Sequence, residues 1–395
     1  MKKGWQTKTL GEIADVQSGG TPLVSNKAFW NGNLPWYSSG ELNNLYTSAP
    51  ERHVSALGIE RSNAKLFPEG SLLIGMYDTA ALKMSILDRA GAFNQAIAGV
   101  RPNEQIDLVF VLHAINAIRE RVLGQRRGVR QKNLSLGKIR EIPIPVPPLS
   151  EQQRIVGILD EAFEGLATAK ANAEKNLRNA RALFESHLQS VFTQRGPGWV
   201  VKRLDELCTF SSGGTPSKGN SSYWQGEIPW VSGRDMKSTR LSDSALHISQ
   251  AAVDESATRM ASAGTLLILV RGMGLAHGAQ IAELLSPCAF NQDIRGIHAK
   301  PGLLPRYLLF ALRDRINLSD TVLSNAAHGT LKIDSNELQK VMIPFPPIEQ
   351  QRRIISVIDA LKEETQRLAL LYTRKVAALE ALKKSLLHRA FSGQL

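Results

Sequence analysis

Cysteine is nearly missing from this chain of 395 residues: Cys208 and Cys288 are the only two. A disulfide framework or a thiolate metal site needs more sulfur than that. No metal site is expected, and a reduced, cytoplasmic setting is. Long apolar runs are missing as well. None approaches the ~20 residues of a membrane-spanning helix, so no membrane partner is expected. No apolar core follows Met1-Lys2-Lys3-Gly4-Trp5-Gln6, and nothing there reads as a signal peptide. The familiar catalytic signatures are absent too: no GxxxxGK[ST] phosphate loop, no HExxH, no paired CxxC and no GxSxG. The Pro-Pro pairs follow Val146 and Phe345, not the Asn or Asp of a base-methylating motif. No catalytic residue is therefore expected in this chain.

What is present is a duplication. Gly4-Trp5, Ser18-Gly19-Gly20-Thr21-Pro22, Trp30 and Pro35-Trp36 are answered in order by Gly198-Trp199, Ser212-Gly213-Gly214-Thr215-Pro216, Trp224 and Pro229-Trp230. The offset is constant, and it holds through His53 and His247. After a short insertion Phe93-Asn94-Gln95 is answered by Phe290-Asn291-Gln292, and Pro147-Pro148 by Pro346-Pro347. A unit this long is a duplicated domain, not a solenoid repeat of roughly 20 to 50 residues. A duplicated domain usually addresses a duplicated target. The formal net charge of +12 favours a polyanionic partner, most simply nucleic acid.

Each half has the same grammar. A mixed region carries short buried-strand runs, Leu72-Leu73-Ile74 and Leu266-Leu267-Ile268-Leu269-Val270. It also carries helical spacing over 107–121 and 305–315, with Val109, Leu112, Ile115 and Ile118 on one face. A proline-rich extended connector follows, Ile142 to Pro148 and Ile343 to Pro347. Beyond it, 151–192 lacks proline and 349–391 lacks both proline and glycine. Apolar residues there repeat every 3.5 residues, the spacing of a coiled-coil seam. The first seam runs Ile155, Leu159, Ala162, Leu166, Ala169 and Ala173, then shifts phase to Leu177, Ala180, Phe184 and Val191. The second runs Ile354, Ile358, Leu361, Leu368, Tyr372, Leu379, Leu382 and Leu386, with Thr365 and Lys375 as polar exceptions.

Each helix of ~40 residues spans about 60 Å, too long for one small domain to cover. The predicted fold is α+β (mixed α/β): two similar globular domains joined by two long antiparallel coiled-coil helices. The bounds are 1–148 and 197–347 for the domains, 149–196 and 348–395 for the helices. The competing arrangement is that each helix merely packs on its own globular unit.

Taken together these segments resemble the specificity subunit of type I restriction–modification systems over essentially the whole chain. The resemblance rests on the Trp5-to-Trp36 segment with its Gly-Gly-Thr-Pro turn, on Phe93-Asn94-Gln95, and on Gly128 before a basic loop. It rests also on the run from Ile144 through Pro147-Pro148-Leu149-Ser150-Glu151-Gln152-Gln153-Arg154 to Ile155, with its second copy from Ile343 to Ile354. The terminal Leu386 to Leu395 completes it.

The resemblance implies two target recognition domains, each reading one half of a split, asymmetric site on double-stranded DNA. It implies that the helical pair sets the gap and docks two modification (methyltransferase) subunits carrying S-adenosylmethionine. A separate restriction subunit would supply ATP- and Mg-dependent translocation and cleavage. This chain would bind no cofactor itself. The rival reading is a non-catalytic coiled-coil scaffold displaying two protein-binding domains. Salt dependence of DNA affinity separates the two.

Phosphate contacts would hold each domain on the duplex and base edges would supply sequence information. The basic loop with Arg126, Arg127, Arg130 and Lys132 is the phosphate candidate in the first half. His328 and Lys332 are its thinner counterpart, with Lys132 matched to Lys332. Base readers are sought where the copies disagree inside matching segments. These are Tyr37, Ser38, Glu41, Tyr77 and Lys83 in the first half, and Ser232, Arg234, Asp235, Lys237, Arg271 and His277 in the second. Arg234 and Arg271 suit bidentate guanine contacts worth roughly 1–3 kcal/mol, and equally a phosphate. Trp30, Trp36, Trp224 and Trp230 read as shared architecture. Asn94-Gln95 and Asn291-Gln292 fit adenine contacts or backbone bracing. His53 and His247 have no fixed acidic neighbour in sequence and read as structural.

Overall fold

The computed structural model describes residues 5–124, 133–194, 196–272, 275, 278–317, 323–325 and 331–395. Its helices include α1 (Leu108–Ala117), α2 (Leu149–Thr193), α3 (Pro305–Asn317), α4 (Ser335–Lys340) and α5 (Ile348–Ser392). The chain forms two compact units, Met1–Glu174 with Thr373–Leu395, and Lys175–Tyr372. Each unit thus holds one globular region and a portion of both long helices.

In the first unit the buried run Leu72–Gly75 is central in an antiparallel sheet. Its order is Val16–Ser18, Ile97–Val100, Leu72–Gly75, Met84–Ile86. A second sheet sets Leu34–Tyr37 between Arg52–Val54 (antiparallel) and Ala92–Phe93 (parallel). The proline-rich segment is not a free connector. Pro143–Val146 is a strand paired antiparallel with Gln6–Thr9, Ile144 opposite Lys8. Prolines lack the ladder N–H, and a two-stranded ribbon tolerates them on its unpaired side.

The second unit repeats this plan with Cys208–Ser212, Ile294–Ala299, Leu266–Leu269 and Ile281–Leu284, and pairs Val200–Arg203 with Met342–Phe345. Its sheets each gain an edge strand, Arg240–Leu241 and Met260–Ala261. The first unit has only the isolated bridges Tyr46–Ile86 and Phe67–Gly91 there.

The Gly-Gly-Thr-Pro turn needs its glycines because other backbone closes on them. A Cβ on Gly19 would lie 2.2 Å from the Phe93 carbonyl oxygen, and one on Gly213 would lie 2.2 Å from that of Asn291. The tryptophans are architectural in both copies. Trp36 and Trp230 are buried and donate Nε1–H to the Gly20 and Gly214 carbonyls at 3.0 Å. Each meets its partner, Trp30 or Trp224, edge to face at 5.0 Å.

Helix α1 is buried nearly all round and not on one face alone. The sheet covers one side, while from the long helices Phe391 packs tilted against Phe110 at 5.1 Å and Phe163 meets His113 at 5.5 Å. In the first unit α2 and α5 run antiparallel. Lys170 Nζ lies 2.7 Å from Glu380 Oε1, and Arg154 donates to the Leu395 carbonyl at 3.1 Å.

The seam residues also enter the globular cores. Ile155 and Leu159 share one core with Leu387 and Ala390, while Phe184, Leu188 and Phe192 share the other with Ile358. Helix pairing and docking on a domain, set against each other by the sequence, are both realised. Leu166, Leu177, Ile354, Leu361, Leu368, Leu379 and Leu386 are half-buried. Leu382 is a correction: it is 47% exposed, and Leu387 and Ala390 are buried instead. Thr365 is buried, its hydroxyl bonded back to the Leu361 carbonyl at 2.9 Å.

Candidate nucleic-acid interface

One ladder of main-chain hydrogen bonds gathers the variable segments of each unit. In the first unit Asn94 N donates to Tyr37 O at 3.0 Å, Met76 N to Ala96 O at 2.9 Å and Leu134 N to Met76 O at 2.8 Å. In the second, Asn291 N donates to Val231 O at 3.0 Å, Val270 N to Asp293 O at 2.8 Å and Ile333 N to Val270 O at 2.9 Å. Segments distant in sequence therefore end at one edge. Candidates 37–41 and 77–83 meet there in one unit, and 232–237, 271 and 332 in the other.

The ladder corrects the sequence pairing of Lys132 with Lys332. Leu134 and Ile333 make the same bond, which makes Asn133 the counterpart of Lys332. Arg126, Arg127, Arg130, Lys132, His277 and His328 lie outside the described residues.

Several proposed base readers turn out to brace the scaffold. Tyr37 is 1% exposed, its hydroxyl donating to the Ser48 carbonyl at 3.2 Å. That burial pushes its phenol above the ordinary range. It packs in a cluster with Phe67 and Phe93, while Trp36 is buried on the opposite face of the strand.

Glu41 and Asp235 differ in sequence yet do one job. Glu41 accepts the Ser38 N–H at 2.6 Å and the Glu51 N–H at 3.0 Å. Asp235 accepts the Ser232 N–H at 2.8 Å and the Ala245 N–H at 3.0 Å. Their carboxylates close the turn after each Pro-Trp strand. Ser38 and Ser232 are thereby turn caps as well.

Asn94 and Asn291 accept from the main chain two residues on, at 3.1 Å each. Gln95 accepts from Thr21 at 2.6 Å, and Gln292 from Thr215. Both glutamines remain exposed, so the Gly-Gly-Thr-Pro threonine aims a side-chain amide at the surface.

The remaining candidates are accessible. Tyr77, Arg234, Lys237 and Arg271 are exposed; Lys83 and Lys332 are half-buried, Lys83 donating to Asn43 at 2.9 Å. Near Lys83, Leu82 holds φ at +57°, a conformation costly for a branched side chain. Arg119 fixes it by donating to the Leu82 carbonyl. His247 also corrects the sequence reading: Asp243 lies 2.8 Å from its Nε2. The main-chain N–H of Ser244, then His247, hold that carboxyl below the usual range.

Sequence reasoning missed Arg295. It lines a cleft of about 340 Å³ with Arg271 and Lys332 in the second unit. The signal was available: Asn94-Gln95-Ala96-Ile97-Ala98-Gly99 and Asn291-Gln292-Asp293-Ile294-Arg295-Gly296 match except at two positions. Strand pairing then sets Arg295 against Ser212 as it sets Ala98 against Ser18.

Among the described residues no helix is long and apolar enough to cross a membrane. Comparison with known proteins agrees with the geometry. The chain is 31% identical over 226 residues to the Escherichia coli EcoR124I/EcoR124II specificity subunit, covering 56% of this chain and 55% of that one. It is 21% identical to the MjaIX specificity subunit of Methanocaldococcus jannaschii over all of this chain and 94% of that one. Among solved structures, a chain from a study of type I R-M assembly and conformational transition superposes with a TM-score of 0.80 at 20% identity, covering 100% of this chain and 99% of that one. The HsdS subunit of Thermoanaerobacter tengcongensis gives 0.64 at 19%, covering 100% and 98%. Both show the same fold. The type I restriction modification DNA specificity domain matches twice, over residues 2–176 and 197–372, and the chain belongs to that family.

Proposed function

We propose that this chain is the address-reading, non-catalytic subunit of a type I restriction–modification complex. Each unit reads one half of an asymmetric bipartite site on double-stranded DNA, and the length of the paired helices sets the unread gap. The observation that carries the reading is the twin scaffold with divergent edges. Trp36/Trp230, Glu41/Asp235 and Gln95/Gln292 keep the same bonds in both copies. Tyr77/Arg271, Ala98/Arg295 and Asn133/Lys332 differ at the edge those bonds build. A constant frame with changed edge chemistry suits two different base sequences read by one docking mode.

The chemistry would come from partners. Two modification subunits with S-adenosylmethionine would dock on the helices, and a restriction subunit with ATP and Mg would cut, in the cytoplasm. Exchanging residues 1–148 for another such domain should change one half-site in the host methylome and leave the other intact. Lengthening both helices by one turn should change only the gap. Scrambling of all specificity by either exchange would defeat the modular reading. The chain alone, incubated with DNA and S-adenosylmethionine or Mg, should give no product.

A further inference from the structure

We propose, resting on the DNA-reading role above, that the cleft of the second unit seats one backbone phosphate of the duplex. Arg271, Arg295 and Lys332 would hold it, and the first unit's equivalent positions would not.

Arg295 is the fixed element. Its Nη1 donates to Ser212 Oγ and its Nη2 to Ser335 Oγ at 3.2 Å. Serine oxygens accept here, so each hydroxyl hydrogen is free to donate to a bound oxyanion. Arg271 and Lys332 come together because their main chains form an isolated antiparallel bridge. Among the described residues none of these three cations forms an ion pair. Arg306 and Arg313 in the same unit are each paired with a carboxylate. Two carboxylates line the cleft. Asp334 accepts the Glu337 and Asn336 N–H groups at 3.2 and 2.8 Å, and these, with smaller contributions from Lys332 and Lys340, hold its carboxyl below the usual range. Asp293 accepts from the Asn291 side-chain amide at 3.5 Å.

Tetrahedral recognition by guanidinium and ammonium groups flanked by hydroxyls is phosphate chemistry. In the first unit the same backbone positions carry Tyr77, Ala98 and Asn133, with no charge among them. The two half-sites would therefore be gripped with different electrostatics.

The test is fluorescence anisotropy of the full-length chain on a duplex carrying its bipartite site, across salt. Arg271→Gln and Arg295→Gln should each flatten the log–log salt slope by about 0.9 and weaken binding roughly tenfold at ~0.1 M salt. Tyr77→Ala in the first unit should leave the slope unchanged. A neutral methylphosphonate scanned along the second half-site should weaken the wild type at one position and the two arginine variants not at all there. If Arg295→Gln does not fold, Arg271→Gln on the exposed side carries the test. An unchanged slope with intact binding overturns the seat alone. A changed half-site sequence preference makes these arginines base readers and also overturns it. A wild-type chain that binds no duplex defeats the DNA-reading function itself.

Discussion

Gln152 and Gln351 are the same buried latch made twice. Gln152 Oε1 accepts the Asp107 N–H at 2.9 Å while its Nε2 donates to the Pro147 carbonyl at 2.9 Å. Gln351 Oε1 accepts the Leu304 N–H at 2.9 Å while its Nε2 donates to the Pro346 carbonyl at 2.9 Å. Each ties the first turn of a long helix to the proline strand before it and to the globular region beneath. This is the physical content of the Glu-Gln-Gln-Arg run after each Pro-Pro pair.

Replacing either latch by leucine strands buried main-chain groups, which cost about 1–3 kcal/mol each when unpaired. Gln152→Leu and Gln351→Leu should each lower stability by roughly 3 kcal/mol, seen as a fall in the urea midpoint. A shift within error would show that water takes over the bonds.

The turn braces should matter for binding without touching DNA. Glu41→Ala and Asp235→Ala each free two main-chain donors and should cost about 1–2 kcal/mol of stability. Each should also weaken recognition of only its own half-site. Methylation of substrates altered in one half at a time would reveal the pairing. Equal effects of both variants on both halves would refute it.

Acid should destabilise the first unit through His113. It is 5% exposed, and burial, with a smaller contribution from Lys383, lowers its pKa despite Asp160 and Asp107, which raise it. The folded group resists protonation, so the unfolded chain binds more protons just below the ordinary imidazole range near 6.5. Its contribution is full above that range and is lost as pH falls toward the depressed folded-state value. Thermal unfolding from pH 7.5 to 5 should show this loss. His113→Phe should flatten the dependence; an unchanged profile would exclude His113 as its source.

Both cysteines should be inert in the native state. Burial pushes the Cys208 and Cys288 thiols up to about 12, leaving little thiolate at neutral pH. Iodoacetamide should label neither until denaturant is added, as mass spectrometry would read. Rapid native labelling would mean that the core around them opens.

The sequence by itself determined the duplication, the long helices and the architectural role of the tryptophans. Repetition and a 3.5-residue period are properties of order along the chain, visible without any partner. Disagreement between copies also marked segments that the main-chain bonds then gather at one edge of each unit.

The tertiary structure decided which side chains at that edge face outward. Glu41 and Asp235 looked like divergent readers, but a carboxylate of either length reaches the same two N–H groups once the turn is closed. Tyr37 is buried because both faces of its strand are covered at that point, with Trp36 buried on the other side. Arg295 became part of a cationic cleft only when strand pairing carried it 83 residues across the chain to Ser212. Such pairings depend on register between distant segments, and local sequence carries no record of that distance.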